Sequence, residues 1–219
     1  VTNSLNALFP DAVHIRHSAS GKYYIPSTIA GNGQLPPPAS GSVAINSRLV
    51  TPRYVATSAS GKTYFSDAYF NQIFEITSAG TLELVAGVGR QGFSGDNGPA
   101  TAALLDSPGA MTVDSSGNLL FADTNNGRIR RVTPAGTIST LAVVGGVTAL
   151  TYDAAGNLYF CVSNQNAVRR LNPDGTNTVF ADTGTSGFSG DSGPATSAAL
   201  NGPTGLRFDS DGNLFIADT

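Results

Sequence analysis

The chain has 219 residues, of which 12% are charged, 26 are Gly and 12 are Pro, with a net charge of −3. So turn-rich a composition, 40% apolar, describes many short elements around a buried core and excludes a helical bundle. No apolar run approaches the roughly 18 residues that span a bilayer, and an acidic balance with two lysines among 12 cations argues against a nucleic-acid partner.

Residues 1–51 form an N-terminal segment. Its stretch HIRHSASGKYYIPSTIAGNG (14–33) reads as strand, glycine turn at Gly21, and strand. It predicts the two outer strands of a β-sheet unit, followed by a long loop over 31–51. His14 and His17 are the only histidines, and they are expected as polar edge-strand residues. The later units contribute no histidine, which argues against a His-ligated zinc. Val1 is expected to be a processed or designed start.

From residue 52 the chain repeats. Residues 52–107 hold one unit and a long loop, 108–145 a second unit, 146–202 a third unit and its loop, and 203–219 the first two strands of a further unit. Each full unit has four short apolar runs separated by turn residues. Asp114-Ser115-Ser116-Gly117-Asn118 and Thr133-Pro134-Ala135-Gly136 supply the glycines that tight hairpins need at positive φ. Four strands joined in this way form an antiparallel meander, whose apolar faces are buried only by neighbouring units packed around a ring. The hairpin glycines Gly61, Gly117, Gly156 and Gly212 lie 56, 39 and 56 residues apart. The longer spacings come from one inserted loop used twice. GFSGDNGPATAALLDSPGAM (92–111) and GFSGDSGPATSAALNGPTGL (187–206) match at 12 of 20 positions.

The run GNLLFADTNNGRIRRVTPAGTIS resembles the NHL consensus, and GFSGDNGPATAALL resembles the inter-blade loop of bacterial NHL-repeat proteins. The resemblance covers 52–219 well and 1–51 poorly. It implies an all-β fold, a β-propeller of four-stranded antiparallel blades. The family is usually six-bladed, and about four blades' worth of sequence is present. Two readings of the ends follow. Residues 203–219 and 14–33 are complementary halves of one blade, or the chain is a stretch of a larger ring; the stop at Ala217-Asp218-Thr219 favours the second.

Most motifs have structural readings. Asp123 and Arg128 flank the turn between the second and third strands and are lost together in the third unit, as Val162 and Ala167. That predicts an ion pair within one blade. In the GFSGD loops, Pro99 and Pro194 are expected at a first helical position with Asp96 and Asp191 near a positive helix end; the loops lack the Lys of a phosphate cradle. Cys161 stands where Ala122 and Ala217 stand and is expected to be buried and inert; a single cysteine excludes an internal disulfide. The pairs Arg130-Arg131 and Arg169-Arg170 are expected at solvated edges.

No catalytic or metal-binding constellation emerges. The expected function is a non-catalytic binding scaffold for a protein, peptide or glycan. Its ligand surface is expected on the face carrying the loops 31–51, 88–107 and 183–202, where units differ most. Asp67, Tyr69, Phe70, Asn71, Arg90, Gln91, Asn125, Asn126, Asn164 and Asn166 are the ligand-face candidates. The alternative is a calcium-dependent lactonase- or lyase-like propeller enzyme; the only glutamates, Glu75 and Glu83, fall on outer strands by register. No cofactor is expected outside that alternative. Low lysine and a Ser/Thr/Asn/Gly-rich surface predict an exported bacterial protein, extracellular or periplasmic.

Overall fold

The computed structural model describes residues 38–219 and the backbone of 13–18 and 24–30. The fold is all-β, a partial β-propeller. Strands β1 (Val13–Ser18) and β2 (Tyr24–Ala30) form a two-stranded sheet. Three four-stranded antiparallel sheets follow, each in sequence order. Blade 1 contains β3 (Pro52–Thr57), β4 (Thr63–Asp67), β5 (Gln72–Ile76) and β6 (Leu82–Ala86). Blade 2 contains β7 (Pro108–Val113), β8 (Leu119–Asp123), β9 (Arg128–Val132) and β10 (Ile138–Val143). Blade 3 contains β11 (Val147–Tyr152), β12 (Leu158–Val162), β13 (Ala167–Leu171) and β14 (Asn177–Ala181). Strands β15 (Gly205–Phe208) and β16 (Leu214–Ala217) form a last pair.

The first hairpin of each blade is built by its own side chains. Asp114 Oδ1 accepts the Asn118 N–H at 2.8 Å, and Oδ2 accepts the Asn118 side-chain amide at 2.7 Å. Asp153 with Asn157, and Asp209 with Asn213, repeat this clamp. Those bonds to Asn213 hold the exposed Asp209 carboxyl below its ordinary range. Blade 1 departs from the pattern. There Ser58 Oγ accepts the Lys62 N–H at 3.1 Å, and the Lys62 side chain is free to reach elsewhere.

Period-two alternation sends each second strand's side chains to two cores. Leu119 and Phe121 pack with Tyr64, Ile73 and Met111 between blades 1 and 2. Leu120 and Ala122 pack with Ile129, Leu150 and Phe160 between blades 2 and 3. The first strands β3, β7, β11 and β15 are neighbours around the axis. Tyr54 reaches across from β3, and its hydroxyl donates to the Thr148 carbonyl of β11 at 3.0 Å.

Among the described strands, no pairing joins the two ends of the chain. β15 pairs with β16 and β1 with β2, in separate sheets. The strands predicted within 14–33 are present and antiparallel, with His14 opposite Thr28 and His17 opposite Ile25. The turn at Gly21 and residues 31–37 of the first long loop lie outside the described residues.

The long loops do not simply hang from one face. Val43 bridges Thr81 and Pro99 bridges Thr137, so each loop pairs briefly with the outer strand of the blade that follows it. This covers an edge that would otherwise offer unpaired backbone groups.

Cys161 is fully buried, as expected, with Ala149, Val168 and Ala181 in the core between blade 3 and the β15–β16 pair. Burial pushes its thiol up to about 12. The native protein at pH 8 is therefore expected to react with a thiol reagent at least about a hundredfold more slowly than the urea-unfolded chain, because the thiolate is the nucleophile. Equal rates would contradict this placement.

Candidate functional site

The loop face is organised by the carboxylate that ends the second strand of a blade. Asp67 is wholly buried and accepts backbone N–H groups of Val50 at 2.8 Å, Thr51 at 3.2 Å, Tyr69 at 3.0 Å and Phe70 at 3.3 Å. Asp123 accepts the Asp106 N–H at 2.7 Å, and Asp218 the Asn201 N–H at 2.7 Å. Each bond reaches back 17 residues, to the end of the long loop that leads into the same blade. Blade 3 has Val162 at this position and a short link before it, and its Ser163 N–H bonds to the Gly146 carbonyl instead. Asp67 is thus a clamp on backbone.

Asn71 and Asn166 also belong to the scaffold. Both hold left-handed backbone, at φ 53° and 54°, in the turn after the second strand. Asn71 Oδ1 accepts the Ser107 N–H at 2.8 Å and Asn166 Oδ1 the Gly202 N–H at 2.9 Å, each 36 residues on, at the start of the next blade. Gly127 has the same place and φ in blade 2, where a short link follows.

Gln91 and Asn125 donate their side-chain amides to the two oxygens of Asp106, at 3.0 and 2.9 Å. Asn126 donates to the Gly92 carbonyl at 2.7 Å. Although Gln91 and Asn125 are exposed, these three amides hold the 88–107 loop to the blade 2 turn. Four candidates keep no such engagement among the described residues. Tyr69 is 63% exposed and meets Phe70 edge-to-face, with ring centroids 5.2 Å apart. Arg90 and Asn164 are exposed.

The predicted Asp123–Arg128 pair is replaced by another. Asp123 Oδ2 bonds Arg130 at 3.0 Å, while Arg128 donates to the Asn126 carbonyl and stacks over the Phe93 ring at 3.9 Å. Arg130, expected at a solvated edge, is fully buried. Its guanidinium also bonds Asp96 at 2.9 Å and the Ser94 carbonyl at 3.0 Å. Burial raises the Asp123 carboxyl above its ordinary value, opposed by the Asp106 N–H, Asn126 and Arg130. The reason is positional: residues 128 and 130 share one face of β9, and the folded GFSGD loop closes over residue 130. Pro99 and Pro194 precede single 3-10 turns, Ala100–Ala102 and Ala195–Ser197, rather than opening helices. Asp96 is therefore oriented by Arg130 and not by a helix end. Gly95 and Gly190 are obligatory, since a Cβ would stand 2.8 and 2.6 Å from the backbones of Ala103 and Ala198.

Among the described residues no three His, Cys, Asp or Glu side chains group as metal ligands. No described helix is long and apolar enough to cross a membrane.

No family profile matches the chain. Human teneurin-4 is 37% identical over 102 residues, 40% of this chain and 4% of its own length. Teneurin-1 of Gallus gallus is 34% identical over 104 residues, again 4% of its length. Among solved structures, a Bacteroides thetaiotaomicron protein of unknown function superposes with TM-score 0.66 at 17% identity, over 95% of this chain and 51% of that one. A chain of the nidogen/laminin complex gives 0.61 at 20%, over 91% and 62%. Virginiamycin B lyase of Staphylococcus aureus gives 0.52 at 22%, over 75% and 47%. The chain thus spans a small part of the teneurins and about half to two thirds of these solved chains. The shared feature is the β-propeller fold, which serves binding proteins and enzymes alike.

Arg130→Met, which leaves Asp123 buried without its cation, is expected to cost about 3–5 kcal/mol. Arg128→Met, at the partner expected from sequence, should cost about 1 kcal/mol or less. Urea unfolding measures both, and equal losses would restore the Asp123–Arg128 pairing.

Proposed function

We propose that the chain is an NHL-type propeller segment that acts as a non-catalytic binding scaffold, engaging a protein, peptide or glycan through its loop face. The supporting observation is the Tyr69–Phe70 pair, in which an exposed Tyr69 meets a half-buried Phe70 edge-to-face in the β4–β5 turn. Asp67 accepts the backbone N–H groups of both residues, so the turn is held in shape before any partner arrives. Aromatic anchors on a rigid base lose little entropy on binding and are frequent hot spots. Arg90 and Asn164 supply polar contacts on the same face. In this reading the protein is exported, and nucleic acid is not its ligand, given the net charge of −3.

The calcium-dependent enzyme reading has less support. Asp67 and Asp218 already accept backbone N–H groups, and the Tyr54 hydroxyl already donates to the Thr148 carbonyl. The test is a peptide-display selection and a glycan array probed with wild type and with Tyr69→Ala/Phe70→Ala. Ligands enriched by wild type should lose at least about tenfold in affinity with the melting temperature preserved. Equal binding by the double variant would place the ligand surface elsewhere.

A further inference from the structure

The opposite, hairpin end of the molecule holds a cleft between blades 1 and 2, of about 580 Å³. Cavities of roughly 300–1,000 Å³ suit small molecules. Its charged wall comes from blade 1. Strand register sets Tyr64 opposite Glu75, and Glu75 opposite Glu83. Lys62, two residues before Tyr64, shares that face, and its ammonium bonds Glu75 Oε2 at 2.9 Å. Both glutamates of the sequence therefore line one cleft. Leu84, Val85, Leu119, Val132 and Pro134 supply its apolar wall.

Three observations make this more than a fold feature. First, the repeat breaks here and nowhere else in the same way. The positions of Lys62, Glu75 and Glu83 carry Asn118, Arg131 and Ser139 in blade 2, and Asn157, Arg170 and Thr178 in blade 3, while Tyr64 recurs as Tyr159. Residues that leave a repeat are free to serve a ligand. Secondly, two carboxylates directly opposite on neighbouring strands repel. Lys62 neutralises Glu75, while Glu83 is exposed and has no partner among the described residues. The wall is left with a net charge of −1. Thirdly, Tyr64 is 7% exposed, lines the cleft, and its hydroxyl makes no hydrogen bond among the described residues. That hydroxyl is not among the fully buried polar atoms, so it is free to donate to a ligand in the cleft. Burial and the nearby Glu75 raise its pKa, so it stays a hydrogen-bond donor at neutral pH.

We propose that this cleft binds a small hydroxylated organic ammonium ion of the amino-sugar type. The ammonium faces Glu83, a ligand oxygen accepts from the Tyr64 hydroxyl, and the body lies on Leu84, Val85 and Pro134. A bare divalent cation fits less well, because the Lys62 ammonium already occupies Glu75 and one free carboxylate gives too few oxygens.

Glucosamine hydrochloride and N-acetylglucosamine, which differ in that charge, are the probes, titrated calorimetrically into the 219-residue chain at pH 7 and low salt. Glucosamine should bind saturably, and N-acetylglucosamine at least about tenfold more weakly, since charge-assisted hydrogen bonds are the stronger class. Glu83→Gln should weaken glucosamine by about tenfold and Tyr64→Phe by about threefold, both with unchanged melting temperatures. The proposal is overturned if glucosamine does not bind, if the two sugars bind alike, or if Glu83→Gln binds as wild type. It is equally overturned if calcium chloride raises the melting temperature while glucosamine does not. The loop-face reading is independent of every one of these outcomes.

Discussion

A buried carboxylate that binds backbone N–H groups 17 residues earlier in the chain joins the long loops to the blades. Asp67 and Asp123 do this from buried positions at the end of a second strand, and the exposed Asp218 makes the same bond just after β16. The bond adds to the backbone bonds that join loop and turn, such as Ala68 N–H to the Thr51 carbonyl. Without an acceptor, the half-buried N–H groups at the end of the first two loops would be left unpaired, at up to about 1–3 kcal/mol each. The repeat carries the carboxylate where a long loop precedes the blade, and replaces it with Val162 where the link is short. Once anchored there, the first two long loops lie along the outer strands of their blades, as the Val43–Thr81 and Pro99–Thr137 bridges show. The connection then becomes part of the sheet, and the β4–β5 turn above Asp67 inherits its rigidity.

Blade 2 adds a second tie of different character. Arg130 is fully buried among Asp123, Asp96 and the Ser94 carbonyl, with Phe93 4.9 Å from its guanidinium carbon. A buried ion cluster loses much of its Coulombic gain to desolvation, so its net stabilisation is modest although breaking it is costly. Its distinctive effect is positional. The planar guanidinium satisfies three acceptors from two chain segments at once, and so fixes the GFSGD loop against blade 2.

Much of the fold was legible because it follows from local chemistry. Hairpin glycines, apolar alternation and the repeated insertion pointed to four-stranded blades without any long-range information. The pairing of Asp123 was not legible. Its directly opposed residue is Arg128, and only the closure of the loop over β9 makes Arg130 the partner. Asn71 and Asn166 resembled free polar residues on a variable turn, yet the backbone N–H groups that donate to them lie 36 residues along the chain. A signal existed there, since a glycine, Gly127, takes their place before the short link, as a left-handed position requires. The change from Asp-x-x-x-Asn to Ser58…Lys62 was likewise visible in the sequence. Its consequence, a charged cleft, depended on a neighbouring blade that no single repeat reveals.

The carboxylate clamp is tested most directly by amide hydrogen exchange in Asp67→Ala. The Val50 and Thr51 amides should lose protection by at least about tenfold, together with Tyr69 and Phe70, while the blade 3 strands keep theirs, because local opening is confined to groups that lose their partner. Unchanged protection at Val50 and Thr51 would show that the loop is held without Asp67 and would contradict the account.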